Sequence, residues 1–154
     1  MTTDIAGVDV VTGFDWRYVE QFLIAVLMTS FTVLTHYTAM SGVRRYFRQF
    51  WTTKGSRRTR LQVMVGIAGI IMAAHFVELT IWAFMYFLRG IIPSLIQAMY
   101  FSIASYSTMG ESGIILPQHW QGLGGFESMN AMLMFGWSTA MLAAVVMKMQ
   151  NIDE

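Results

Sequence analysis

The chain has 154 residues, 55% of them hydrophobic and 12% charged, where soluble domains carry roughly a quarter charged residues. That length suffices for one domain, but with a mean hydropathy of +0.50 it holds more apolar surface than one soluble core of this size can bury, which excludes a soluble globular domain and points to a membrane protein. The absence of cysteine excludes disulfides, thiolate metal sites and cysteine nucleophiles, and the net charge of +1 matters less than where the charges lie.

In chain order, the first segment, 1–17, carries Asp4, Asp9 and Asp15 against Arg17 and reads as extracellular. Its acidic residues and the lack of a small-residue cleavage site argue against a signal peptide. Three apolar windows follow, 18–40, 61–88 and 125–147, each long enough at ~1.5 Å per residue to cross ~30 Å of hydrocarbon. Inside them stand Glu20, Glu78 and Glu127 and no Lys or Arg. Seven of the ten basic residues (Arg44, Arg45, Arg48, Lys54, Arg57, Arg58 and Arg60) lie between the first two windows, in a stretch without Asp or Glu. By the positive-inside rule that stretch is cytoplasmic, and three crossings then place Lys148 and the tail, 150–154, inside. Tyr46, Phe47, Phe50 and Trp51 are interleaved with these basic residues. Either the first helix extends along anionic lipid there, or the basic residues simply fix the topology. The segment 18–60 is expected to be a peripheral transmembrane helix with its basic loop.

A fourth apolar stretch, 91–106, is too short to span. From Pro93, a residue suited to a first helical turn, to Tyr106 is 14 residues, or ~21 Å of helix. It is expected to enter from outside and return to the same side. Ser107, Thr108, Met109, Gly110, Glu111, Ser112 and Gly113 follow. Such irregular polar backbone is tolerated at membrane depth only where it is buried in protein or lines water. The partially negative C-terminus of the short helix favours a cation near the membrane centre, and the next carbonyls and hydroxyls can replace an ion's water shell.

Ala98, Met99, Tyr100, Phe101 and Ser102 in the short helix, Ser107 to Gly110 after it, and Phe126, Glu127, Ser128, Met129, Asn130, Phe135, Gly136, Trp137, Ser138, Thr139 and Ala140 in the last window resemble the two-helix-plus-pore-loop module of the potassium-channel superfamily, in the form found in small bacterial ion channels. The resemblance covers 61–149: outer helix 61–88, pore helix 92–106, filter 107–113 and inner helix 123–149. It implies an all-α membrane protein with three transmembrane helices, a re-entrant pore helix and a filter loop. It further implies a symmetric oligomer, a tetramer, in the plasma (bacterial inner) membrane. The family's filter runs Thr-x-Gly-Tyr-Gly-Asp. Thr108 and Gly110 match it, whereas Glu111 replaces the Tyr, Ser112 the second Gly and Gly113 the Asp.

That departure argues against potassium selectivity, because the second glycine permits a positive φ that Ser112 adopts only at a cost. Rotational symmetry turns Glu111 into a ring of carboxylates, which repel unless a cation neutralises them. Ca²⁺ accepts roughly 6–8 oxygen ligands in flexible geometry and suits such a ring above Ser, Thr and carbonyl oxygens. The expectation is therefore a calcium- or divalent-preferring cation channel with Thr108, Met109, Gly110, Glu111 and Ser112 as its ion-binding filter. A sodium, non-selective or degenerate potassium channel is the nearest competitor, and a non-conducting accessory subunit is a third possibility. No enzymatic activity and no bound cofactor is expected, only permeant Ca²⁺ (or Na⁺ or K⁺). The partners are further copies of the chain and membrane lipids, with no nucleic acid.

Alternatives stand beside each residue. Glu111 could pair with Arg89 at the pore mouth, and Thr108 could bond backbone at a helix end. Glu127 could stabilise a helix dipole from the first turn or concentrate cations in an outer vestibule. Gly136 could allow close helix packing or act as a gating hinge, with Ala140, Ala143, Ala144 and Met147 near a cytoplasmic constriction. His75 and Glu78 share a helix face at i, i+3. They could form a proton relay, a structural pair holding the filter through Ser102, Ser105 or Tyr106, which is the favoured reading, or a metal site two ligands strong where zinc wants three or four. A small membrane metal-binding protein or enzyme built on His75, Glu78 and His36 is the rival from another class. His36 is expected near the cytoplasmic end of the first helix and His75 near mid-membrane, which argues against a bis-histidine haem.

Overall fold

The computed structural model describes residues 16–50 and 56–150. Residues 1–15 of the expected extracellular segment, Trp51 and Lys54 of the basic stretch, and 151–154 of the tail lie outside the described residues. Among the described residues all regular structure is helical: α1 (Trp16–Phe50), α2 (Arg57–Leu88), α3 (Leu95–Tyr106), one 3₁₀ turn (Gln118–Trp120) and α4 (Gly122–Gln150). Three of these helices, α1, α2 and α4, are long and apolar enough to cross a membrane, and fewer than a third of the residues in each apolar window are buried. Phe22, Leu23, Leu34, Met72, Phe76 and Leu133 stand exposed, far more contiguous apolar surface than water tolerates.

Local chemistry sets the helix ends. Ser56 caps α2 by accepting from the Thr59 N–H, as an N-cap hydroxyl should. At the other end Gly90, at φ +66°, closes a Schellman motif in which the Gly90 N–H donates to Phe87 and the Ile91 N–H to Tyr86, a left-handed position glycine takes without strain. Two expected boundaries move. The short helix begins at Leu95, not 92, because Ser94 is extended and accepts from the Gln97 N–H; Pro93 therefore lies before the cap and not in the first turn. The first helix runs on through Arg44, Arg45 and Arg48 to Phe50, since arginine is a good helix former and nothing in that stretch breaks a helix.

The helices pack with α2 against α1 and α3, and α4 against α1 and α3. Alongside α2, α3 carries Tyr106 to the level of His75 and Glu78. Residues 107–121 then return to the end where Gln21 of α1 bonds the His119 carbonyl and Arg89 stacks on Trp120. One apolar cluster at that end includes Trp82, Tyr86, Ile92, Phe101 and Leu123. A second, at the opposite end, includes Met40, Phe47, Ile67 and Val145. Between them along the helices lies a layer of buried polar groups: Thr32, His36, His75, Glu78, Asn130 and Ser138.

Candidate functional site

The filter candidates follow directly from the end of α3. Ser107 caps it, and the Thr108 N–H donates to the Ser105 carbonyl at 3.0 Å. Thr108 thus occupies the place that Gly90 has in α2, with φ +62°. A β-branched residue there is a true outlier, and such strain of ~1–3 kcal/mol gathers at functional segments. The Thr108 hydroxyl makes no hydrogen bond among the described residues, so a helix-end bond does not explain it. Thr108→Gly is expected to raise stability by ~1 kcal/mol, read as a higher thermal midpoint in detergent; a lower midpoint would mean that the side chain serves the fold.

Beyond Thr108, Met109, Gly110 and Glu111 are exposed and Ser112 is partly so. The Ser112 N–H donates to the Gly110 carbonyl at 3.1 Å, closing a tight turn about Glu111, so the Gly110 oxygen is already engaged within the chain. Positive φ falls on Gly110 (+75°) and Gly113 (+67°) and not on Ser112, whose hydroxyl instead accepts from the Ile114 N–H at 3.2 Å. Glu111 does not pair with Arg89, which bonds Glu20 across to α1. On α4, Met129, Leu133, Gly136, Ala140, Ala143 and Met147 recur at alternating four- and three-residue steps on one exposed face. A Cβ at Gly136 would meet nothing within 4 Å, so close packing inside the chain is not what this glycine serves.

Two carboxylates stand behind the segment. Glu127 is corrected: it is fully buried and does not line an outer vestibule. It bonds the hydroxyl of Ser102 on α3 and accepts from Tyr86 on α2 at 3.0 Å. Nor does it lie in the first turn, because α4 starts at Gly122. Ser102 also donates to the Leu79 carbonyl at 2.7 Å, and Ser128 donates to the Ser105 carbonyl at 2.6 Å. These bonds tie α3 to both neighbours.

Glu78 accepts from the Tyr106 hydroxyl. Its other oxygen lies 2.9 Å from His36 Nδ1, and His75 Nδ1 lies 3.1 Å from the Tyr106 oxygen. Of the three α3 groups expected near the pair, Tyr106 is the one it touches. The expected difference in depth between His36 and His75 is also corrected. Their ring centroids are 5.4 Å apart, because α1 and α2 run antiparallel with both histidines well inside their helices. Both rings turn Nδ1 toward the Glu78 carboxylate, which leaves no gap for a haem between them. Ser138 of α4 completes the group, 3.0 Å from His75 Nε2 and 3.4 Å from His36 Nε2. Sequence reasoning gave Ser138 no role beyond its place in the inner-helix match and missed Tyr86, whose only signal was a polar atom inside an apolar window. Compared with known protein families, curated sequences and solved structures, the chain has no match, so the site is read from its own geometry.

Proposed function

We propose that the chain is one subunit of a homo-oligomeric cation channel, tetrameric by its resemblance to potassium-channel modules, in which α3 is a re-entrant pore helix and 107–113 the selectivity filter. One observation carries the reading. Of the four carboxylates among the described residues, Glu20, Glu78 and Glu127 have polar partners, and Glu111 alone has none. An exposed, unpartnered acid at the tip of a tight turn, following a strained Thr108, is an ion ligand waiting for symmetry-related copies. Repeated about an axis, Glu111 makes a ring that attracts cations and favours hard divalent ones such as Ca²⁺, with Thr108, Met109 and Ser112 supplying neutral oxygens and Gly110 closing the turn. The exposed α4 face then lines the inner path or meets a neighbouring subunit, and Gly136 gives it a place to bend. The seven basic residues between the first two windows set the orientation, with the N-terminus outside and the C-terminus in the cytoplasm.

The test is a bi-ionic reversal potential across a planar bilayer containing the reconstituted protein, with Ca²⁺ on one side and K⁺ on the other. The reversal potential is expected to follow the Ca²⁺ gradient. A potential that tracks K⁺ and ignores Ca²⁺ would remove the divalent preference, and no current from an intact oligomer would remove the channel.

A further inference from the structure

We propose that His36, His75, Glu78 and Tyr106 bind one divalent transition-metal ion, with Zn²⁺ the best fit, where the four helices meet. One member comes from α1, two from α2 and one from α3, and Ser138 of α4 supports them. The proposal is independent of conduction. Ligand atoms of His36, His75 and Glu78 all lie within 4.8 Å of one another, and all three residues are buried.

The orientation of the rings carries the argument further. His36 Nδ1 is 2.9 Å from one Glu78 oxygen and His75 Nδ1 is 3.4 Å from the other. Each is near the ~3.3 Å that separates neighbouring ligand atoms around an ion with ~2.0–2.1 Å bonds, and because they end on different oxygens, the Glu78 carboxylate takes its single corner by turning one oxygen toward the ion. The Tyr106 oxygen, in contact with both His75 Nδ1 and Glu78, takes the fourth corner. Both Nε2 atoms face the single Ser138 oxygen, which has two lone pairs and can accept from each. Metal-bound histidine characteristically donates its second N–H to such an acceptor, which fixes the tautomer. Two imidazoles that present the same nitrogen to one point, and the other to a shared acceptor, form a built first and second shell.

Charge balance fits as well. The group lies between two apolar clusters, where net charge is costly. A divalent ion with the Glu78 carboxylate and a Tyr106 phenolate is neutral. Without metal, the closed ring from Glu78 through His36, Ser138, His75 and Tyr106 back to Glu78 has five hydrogen bonds and needs a proton for each. Tyr106, Ser138 and the two imidazoles bring one each, and a fifth offsets the carboxylate. Metal binding therefore exchanges the fifth proton and that of Tyr106 for one divalent ion. No electron moves, and release of about two protons is expected.

The test uses full-length protein purified in detergent without a histidine tag. Metal analysis is expected to find one Zn²⁺ per chain. After chelation, Co²⁺ should restore one equivalent with the visible absorption of a tetrahedral site, and titration in two buffers of different ionisation enthalpy should report the proton release. Glu78→Gln can fill the same five-bond ring, its amide donating to His36 and its carbonyl accepting from Tyr106, so it should fold and lose stoichiometric binding. Ser138→Ala keeps every ligand and should weaken Co²⁺ affinity about 10–100-fold. Folded wild-type protein that takes up neither Zn²⁺ nor Co²⁺ would overturn the proposal and leave a ring of protons. Wild-type affinity in both variants would overturn it too, by moving the metal elsewhere.

Discussion

Glu127→Ala is expected to cost about 3–5 kcal/mol, whereas Glu127→Gln should stay within about 1 kcal/mol of the parent protein. The contrast follows from the partners. Ser102 donates toward both the Leu79 carbonyl at 2.7 Å and Glu127, and Tyr86 donates to the other Glu127 oxygen, so both carboxyl oxygens are held by hydroxyl groups inside the protein. Glutamine fills the same volume, keeps a carbonyl for Tyr86 and turns an amide N–H toward the Ser102 oxygen, whose proton stays with the Leu79 carbonyl. Alanine strands the Tyr86 hydroxyl in a fully buried position and opens a cavity between α2, α3 and α4. Unfolding of the detergent-solubilised protein measures both. A glutamine variant as damaged as the alanine one would overturn this account, since it would mean that both hydroxyls require an acceptor that an amide cannot replace.

The existence of every helix was legible because a long apolar window has few other structures open to it. What the windows could not give was the register of one helix on another. An apolar window ending at residue 40 places His36 near its cytoplasmic end, whereas α1 continues to Phe50 and leaves His36 well inside the helix. The antiparallel pairing of α1 and α2 is what brings His36 beside His75 and Glu78, a contact no window shows. The start of α4 at Gly122 lies one residue from the expected 123, but a helix start does not say which face of α4 meets Ser102 and Tyr86, and that face is what buries Glu127. By contrast, the placement of Glu111 in a loop after the short helix was legible, because it is set by four consecutive residues after a helix end and not by packing between distant segments.

On the channel reading, Glu111→Gln is expected to lower the Ca²⁺-over-K⁺ permeability ratio by on the order of 100-fold, and Glu111→Asp to lower it much less. Even at the dielectric of water, a unit charge ~4 Å from a carboxylate gains about 1 kcal/mol. A divalent ion gains about twice that, so each carboxylate favours Ca²⁺ over K⁺ by about 1 kcal/mol. A tetrameric ring multiplies the effect, and salt screening of these exposed charges reduces it to roughly two decades. Glutamine keeps the shape and an oxygen but removes the charge, so what is lost is the electrostatic part alone. Because Glu111 is exposed and partners nothing among the described residues, the same change should move stability by no more than about 0.5 kcal/mol, which separates selectivity from folding. Aspartate keeps the charge and withdraws it by one methylene, weakening the ring without abolishing it. Bi-ionic reversal potentials of the three proteins in one bilayer system decide the matter. A ratio unchanged in Glu111→Gln would move selectivity from the carboxylate ring to the oxygens of Thr108, Met109 and Ser112.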